Sequence, residues 1–364
     1  MSGISGRKAP KRVLIVGAGI IGASIAHHLA RRGAAVTLVD RAGPAAEASG
    51  RSFGWINASY GNPEPYFRLR FQSLLEHRRL DWETGGRLGV KWGGSLLWEP
   101  EAGDLSAYIA GHQAWSYGLR GIDREEFRAL EPSVADPPAF AVFAELEGSL
   151  DAAHATRVLL ASAERHGADL RYGCDVLGIR MLGGRTVGAE TSRGPIEAAC
   201  TVLAAGVATR SLAAPSGLDL PMTNLPGLLI RTRPVGPVLQ RLVLSPACHV
   251  KQDPDGALVA GADFGGGGEV EDAEREGERL LGDVRALLPG VAGLALEEVL
   301  TGVRPMPADG FPAVGFAADG LYVAVLHSGV TLAPVVGRFA AAEILDGADI
   351  GLLAPYRPSR FAAG

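Results

Sequence analysis

The chain has 364 residues, 47% hydrophobic and 21% charged, with 50 glycines and a formal net charge of -5. At ~150 residues per domain this length means two domains or one large one, and the apolar share excludes both a mini-protein and a disordered chain. Glycine is about twice as frequent as the usual ~7% but has no three-residue period, which excludes collagen and implies many tight turns or close backbone approaches.

Of the 35 cationic residues only Lys8, Lys11, Lys91 and Lys251 are lysines, and the arginines form no long basic run. A nucleic-acid surface is therefore not expected. Cys174, Cys200 and Cys248 lie far apart without a CxxC or His/Cys cluster, so neither a disulfide framework nor a metal site is expected, and a reducing compartment fits. Arg7, Lys8, Lys11 and Arg12 precede an apolar stretch as in a signal peptide. Gly17, Gly19 and Gly22 interrupt that stretch, and His27, His28, Arg31 and Arg32 arrive too soon for a membrane span of ~20 apolar residues. The expectation is a soluble cytoplasmic protein with no transmembrane segment.

In chain order, residues 13–22 read VLIVGAGIIG, an apolar strand entering Gly17-x-Gly19-x-x-Gly22. Ile21, Ile25 and Leu29 then recur at helical spacing up to Arg32-Gly33, and a strand over 35–39 ends in Asp40. An acid 18 positions after the last glycine completes a dinucleotide-binding βαβ unit. Gly17 permits the tight turn, Gly19 lets the backbone approach a pyrophosphate, and Gly22 lets helix and strand pack closely. The helix N-terminus offers N–H groups and partial positive charge to the phosphates, and Asp40 can accept from ribose hydroxyls. This motif alone does not separate FAD from NAD.

Residues 47–55, EASGRSFGW, offer Ser49, Ser52 and backbone amides to a phosphate or flavin edge. A surface loop with a solvated Arg51 is the equal alternative. Between Pro63 and Pro138 the chain carries Tyr66, Phe67, Phe71, Trp82, Trp92, Trp98 and Trp115 and reads as an inserted second domain. Residues 151–167 form an amphipathic helix, short strands follow around Val176, Val187 and Ile196, and Thr201-Val-Leu-Ala-Ala-Gly206 is a buried strand ending in small residues. Strands over 227–232, 239–244 and 258–261 make a β-rich substrate domain. Gly265 to Gly268 is a flexible loop rather than a P-loop, and 271–288 is a charged amphipathic helix with Leu280, Leu281, Val284 and Leu288 inward. A strand over 321–326 leads through His327-Ser-Gly into a helix reaching Leu345, with Pro334 in its first turn, where a missing N–H costs little. That second helix N-terminus is suited to face a flavin pyrimidine edge, or is an ordinary βα connection.

Together these segments resemble the FAD-dependent amine and amino-acid oxidases of the glycine oxidase, D-amino-acid oxidase and sarcosine oxidase group, with markers at 13–40, 47–54, 126–132 (EFRALEP), 201–206 and 302–334. The resemblance implies a mixed α/β and α+β fold: a discontinuous Rossmann-like FAD-binding domain (1–86, 145–217, 302–364) with an inserted β-rich substrate domain (87–144, 218–301). It implies that Gly17, Gly19, Ile20, Ile21, Gly22, Asp40 and Arg41 hold FAD, the glycines and Asp40 at its ADP half. Val176 would meet adenine and Ala205-Gly206 would line the nucleotide. Ser49, Gly50, Arg51 and Ser52 would lie near the flavin, with Gly329, Val330 and Thr331 at its pyrimidine side and Gly302 and Ser328 among the cofactor contacts.

Arg304 matches the Arg-Pro position that pairs with the substrate carboxylate in glycine oxidase-like members, and it also counts among the cofactor contacts. His327 is a candidate catalytic or structural residue beside the flavin; His249 and Lys251 are candidate substrate contacts or solvent-facing groups. Thr301-Gly302-Val303 lacks the Cys by which sarcosine oxidases tether flavin, so FAD is implied to be non-covalent. The run from His327 to Leu-Ala-Pro is shorter than the family's usual His-Gly-Gly-Asn-Gly form, which leaves the substrate unspecified.

The implied reaction is oxidation of a carboxylate-bearing amine by hydride transfer to flavin N5, giving an imine that hydrolyses, with electrons passing to oxygen or another acceptor. A 2-hydroxy-acid dehydrogenase, a flavoprotein subunit of a larger amino-acid dehydrogenase complex, an NAD-dependent dehydrogenase and a flavin-binding protein without turnover are the alternatives. Homo-oligomerisation or an electron-accepting partner subunit is left open.

Overall fold

The computed structural model describes residues 11–59, 62–99, 102–262 and 272–361. A six-stranded sheet runs in the order Ala313–Ala318, Leu321–Val325, Cys200–Leu203, Arg12–Val16, Ala35–Asp40 and Asp169–Tyr172. Every neighbouring pair is parallel except Ala313–Ala318 with Leu321–Val325. The central strands Arg12–Val16, Cys200–Leu203 and Leu321–Val325 are buried almost throughout and mostly apolar because helices cover both faces of a parallel sheet. Helix Ile20–Arg31 packs between helices Ala152–Arg165 and Gly329–Asp346. A Cβ on Gly337 would collide with Ser24 Oγ, so that glycine sets the closeness of the second contact.

Strands Val176–Leu182, Arg185–Thr191 and Ile196–Glu197 form a small antiparallel sheet at the positions expected. The β-rich half is an eight-stranded sheet in the order Leu296–Pro307, Met222–Thr232, Leu258–Gly261, His249–Gln252, Leu242–Leu244, Ser95–Leu97, Phe140–Ala144 and Leu119–Asp123. Only Leu242–Leu244 and Ser95–Leu97 pair in parallel. Helix Ala273–Leu287 covers this sheet with Leu280, Leu281 and Val284 buried, and Asp272 caps it by accepting from Arg275 N. The fold is thus the expected Rossmann-like half joined to a β-rich half. Gly265 to Gly268 lie outside the described residues.

Several elements differ from the sequence expectation. The strand expected over 239–244 is confined to Leu242–Leu244, because the Leu239 and Gln240 amides donate to the side chains of Gln252 and Glu131 instead. The one expected over 227–232 is the longer Met222–Thr232, held along its length by Leu296–Pro307; the boundary placed at residue 302 falls inside that partner strand. The aromatic stretch after Pro63 begins with helix Glu64–Glu83, which packs on helix Gly329–Asp346 of the parallel-sheet half and buries Tyr66, Phe67, Leu69 and Leu74 in its core.

Pro334 is the sixth residue of helix Gly329–Asp346, not part of its first turn. Its missing N–H therefore deprives the Val330 carbonyl, four residues back, of a helical donor. His77 Nε2, 2.9 Å from that oxygen, takes the place.

Candidate active site

A cavity of about 740 Å³ runs along the carboxyl ends of the parallel strands, where Val16, Val39, Ala204 and Leu326 reach its wall. Open parallel sheets bind ligands there, and the volume lies within the ~300–1,000 Å³ of ligand sites.

At one end is the glycine turn. Gly17 has φ +113°, and a Cβ there would collide with the Ala204 carbonyl oxygen. Helix Ile20–Arg31 starts at Gly19 with no side-chain cap, and Ile20 N donates to Ser49 Oγ at 3.0 Å. Gly22 does not line the cavity; its Cβ would collide with the Gly17 carbonyl, so it sets how closely helix and turn approach. Asp40 Oδ2 accepts from Ala18 N at 2.8 Å, and Oδ1 accepts from Ala42 N and Gly43 N. The carboxylate thus stiffens the turn while lining the cavity.

Ile21, Arg41, Ser49, Arg51, Ser52, Val176, Ala205 and Gly206 also line the wall. Gly50 does not; a Cβ there would collide with the Ala45 carbonyl. Glu47 bridges Arg41 at 2.9 Å and Arg51 at 3.4 Å.

At the other end, Arg304, His327, Ser328, Gly329, Val330 and Thr331 converge with Gly302. Strand pairing sets Gly227 opposite Gly302 and Leu225 opposite Arg304, and the Arg304 guanidinium lies over Gly227, where a Cβ would sit 2.9 Å from Nη2. Ser328 adopts left-handed φ 57° without capping the helix it precedes, a conformation that non-glycine residues rarely keep. Thr331 Oγ1 donates to the Trp55 carbonyl at 3.1 Å and accepts from Asn57 N. His327 is pushed down to about 4, first by burial and then by the Arg304 and Arg70 guanidiniums. The imidazole is therefore neutral near pH 7.

Lys251 and His249, expected as substrate contacts, are absent from the cavity wall. The Lys251 ammonium is turned inward, donating to the Leu150 carbonyl at 2.8 Å and pairing with Asp253. Sequence reasoning missed Arg70, Asn57, Tyr66 and Gly227, all of which line the wall. A signal existed for Arg70: Arg70, Ser73 and His77 place polar groups at i, i+3 and i+7 on the buried stripe of helix Glu64–Glu83.

Buried neutral histidines give a pH dependence. His27 and His77 are also held near 4, chiefly by burial, against an ordinary 6.5 in the unfolded chain. The unfolded state binds more protons below 6.5, so this stability is complete above that pH and is lost as pH falls toward 4. Each of the three histidines near 4 loses about 1 kcal/mol at pH 5.5. Glu131, pushed up to about 7 by burial, acts in the opposite direction and returns part of this. His28, also lowered by burial, adds to the loss in the same direction, so denaturant unfolding is expected to give at least about 2 kcal/mol less stability at pH 5.5 than at pH 7; a level profile would contradict the burial argument.

The glycine turn, the helix N-terminus and the acid at a strand end define a dinucleotide-binding protein, its cavity closed at the far end by a second helix N-terminus. The chain belongs to the FAD dependent oxidoreductase (DAO) family, whose model matches residues 12–343. It is 30% identical to the glycine oxidase of Pseudomonas aeruginosa over 363 residues, covering 96% of this chain and 99% of that protein. It is 27% identical to the D-amino acid dehydrogenase of Cereibacter sphaeroides over 428 residues, covering 96% and 97%. The crystal structure of glycine oxidase from Geobacillus kaustophilus superposes with a TM-score of 0.86 at 26% identity, covering 96% and 99%. The protein is an FAD-dependent oxidoreductase, and its relatives support amino-acid oxidation as the general activity. Among the described residues no cluster could hold a metal ion and no helix is long and apolar enough to cross a membrane.

Proposed function

We propose that the protein oxidises a carboxylate-bearing amine, an amino acid or an N-substituted amino acid. The observation that carries this reading is the Arg304 guanidinium set into the cavity wall over Gly227, beside a neutral His327. The cavity suits FAD: Gly17 leaves the backbone open where a Cβ would collide, and two helix N-termini meet the wall. Gly17, Gly19, Ile20, Ile21, Asp40 and Arg41 would hold its ADP half, Val176, Ala205 and Gly206 the adenosine surroundings, and Ser49, Arg51, Ser52, Ser328, Gly329, Val330 and Thr331 the flavin side. When bound, FAD supplies the two-electron acceptor. Arg304 grips the substrate carboxylate with its planar fork and so orients the α-carbon. His327, being neutral, adds no third positive charge beside Arg304 and Arg70, and Phe53 and Trp55 line the same cavity. The cofactor carries the chemistry, so this wall needs orientation more than a general base. The imine product hydrolyses in water.

The placement of the thiols supports non-covalent FAD: Cys174, Cys200 and Cys248 are all buried, and Cys174, the cysteine on the cavity wall, sits beside Asp40 with its amide donating to that residue's carbonyl. Acid precipitation is expected to release the yellow colour as FAD; colour retained in the pellet would contradict this. Anaerobic addition of amino acids is expected to bleach the flavin. Bleaching by 2-hydroxy acids alone would replace the substrate class, and no bleaching by either would favour a non-catalytic subunit.

A further inference from the structure

Helix Glu64–Glu83 spends three successive polar side chains on the start of helix Gly329–Asp346. Ser73 Oγ donates to the Thr331 carbonyl at 2.6 Å, His77 Nε2 meets the Val330 carbonyl, and Arg70 Nη1 donates to Ser328 Oγ at 2.8 Å. Arg70 differs from the other two in carrying a charge. It is 5% exposed and lines the cavity. Its Nε donates to the Asn57 carbonyl at 3.2 Å, its Nη2 to Asn57 Oδ1, and its guanidinium carbon lies 5.3 Å from the Tyr66 ring centre.

Every one of these partners is neutral. Arg68 and Arg79 on the same helix pair with Glu64 and Glu83, whereas among the described residues no carboxylate reaches Arg70. A buried cation without a counter-charge is costly unless negative charge reaches it. The Ser328 hydroxyl ties this guanidinium to the start of helix Gly329–Asp346, so the helix's positive end and the Arg70 charge reinforce each other at one point of the wall.

We infer that Arg70 is the counter-cation for the negative charge that appears at this end of the cavity when the cofactor is reduced, and that it thereby raises the reduction potential of bound FAD. This rests on the proposed placement of the flavin against Gly329, Val330 and Thr331. Hydride loss turns the neutral amine into an iminium cation and adds one negative charge to the cofactor. A fixed positive charge close to where negative charge develops favours that change without rearranging.

The test uses holoenzymes of wild type, Arg70→Met, Arg70→Gln and Arg70→Lys, with FAD content measured first and the two-electron potential then read against a reference dye during anaerobic reduction. Arg70→Met is expected to retain FAD and shift the oxidised-to-reduced ratio at fixed dye potential at least tenfold toward oxidised, about 30 mV for a two-electron couple. Arg70→Lys should fall between, and KM should change little. Arg70→Gln keeps polar reach to Asn57 and Ser328 without the charge, and decides the matter if the Met variant loses FAD. An unchanged potential with a raised KM would make Arg70 a second carboxylate-binding group and overturn the inference; unchanged potential and KM would make it structural and also overturn it. Wild-type protein without FAD would instead overturn the proposed flavin placement.

Discussion

Arg304→Met is expected to lower kcat/KM for the amino-acid substrate about a hundredfold or more, mostly through KM, with FAD still bound. The guanidinium sits on strand Leu296–Pro307, and Gly227 on the neighbouring strand leaves it room against the wall. Met fills similar volume but cannot pair with a carboxylate. Removing one partner of a desolvated charge pair costs about 2–5 kcal/mol, a factor of roughly 30 to several thousand. Arg304→Lys should recover part of the loss, since a point charge replaces the bidentate fork. Steady-state kinetics beside the flavin spectrum checks this, and unchanged kinetics would remove Arg304 as the anchor.

Gly17→Ala is the second large expected effect, on FAD retention and stability together. A Cβ there would collide with the Ala204 carbonyl at the end of a central strand, and φ +113° is a conformation that alanine resists. Backbone strain contributes about 1–3 kcal/mol, and moving a carbonyl between packed strands adds to it. The purified variant should be largely colourless and melt well below wild type. Gly33→Ala is the control: φ is +81° there, but nothing lies within 4 Å of the added Cβ. It should lose only a modest amount of stability and keep FAD. A Gly17→Ala protein with full flavin and wild-type melting would refute the close-approach argument.

The nucleotide half was legible because its signals are local. Strand, glycine turn, helix and Asp40 lie within 13–40; Gly22 answers a steric demand from Gly17 and Gly17 one from the end of the adjoining strand, while Gly19 lies against Ser49 of the following loop. Helix Ala273–Leu287 was legible for a similar reason, since its inward leucines repeat at helical spacing. The resemblance extended this reading to Arg304 and to the start of the last helix.

Length, composition and these short-range patterns thus determined by themselves that the chain is globular, that it holds a dinucleotide fingerprint near its start, and where the helix after that fingerprint begins, whereas the last helix starts earlier than Pro334 suggested. Only tertiary structure decided what those helix starts touch. Arg70 meets Ser328 from 258 residues away, His77 serves the carbonyl that Pro334 leaves without a donor, and the Lys251 ammonium turns inward to Leu150 and Asp253 instead of to a ligand. Periodicity records that a side chain is buried, but the partner that satisfies a buried charge or hydrogen bond comes from whichever distant segment the sheets bring beside it.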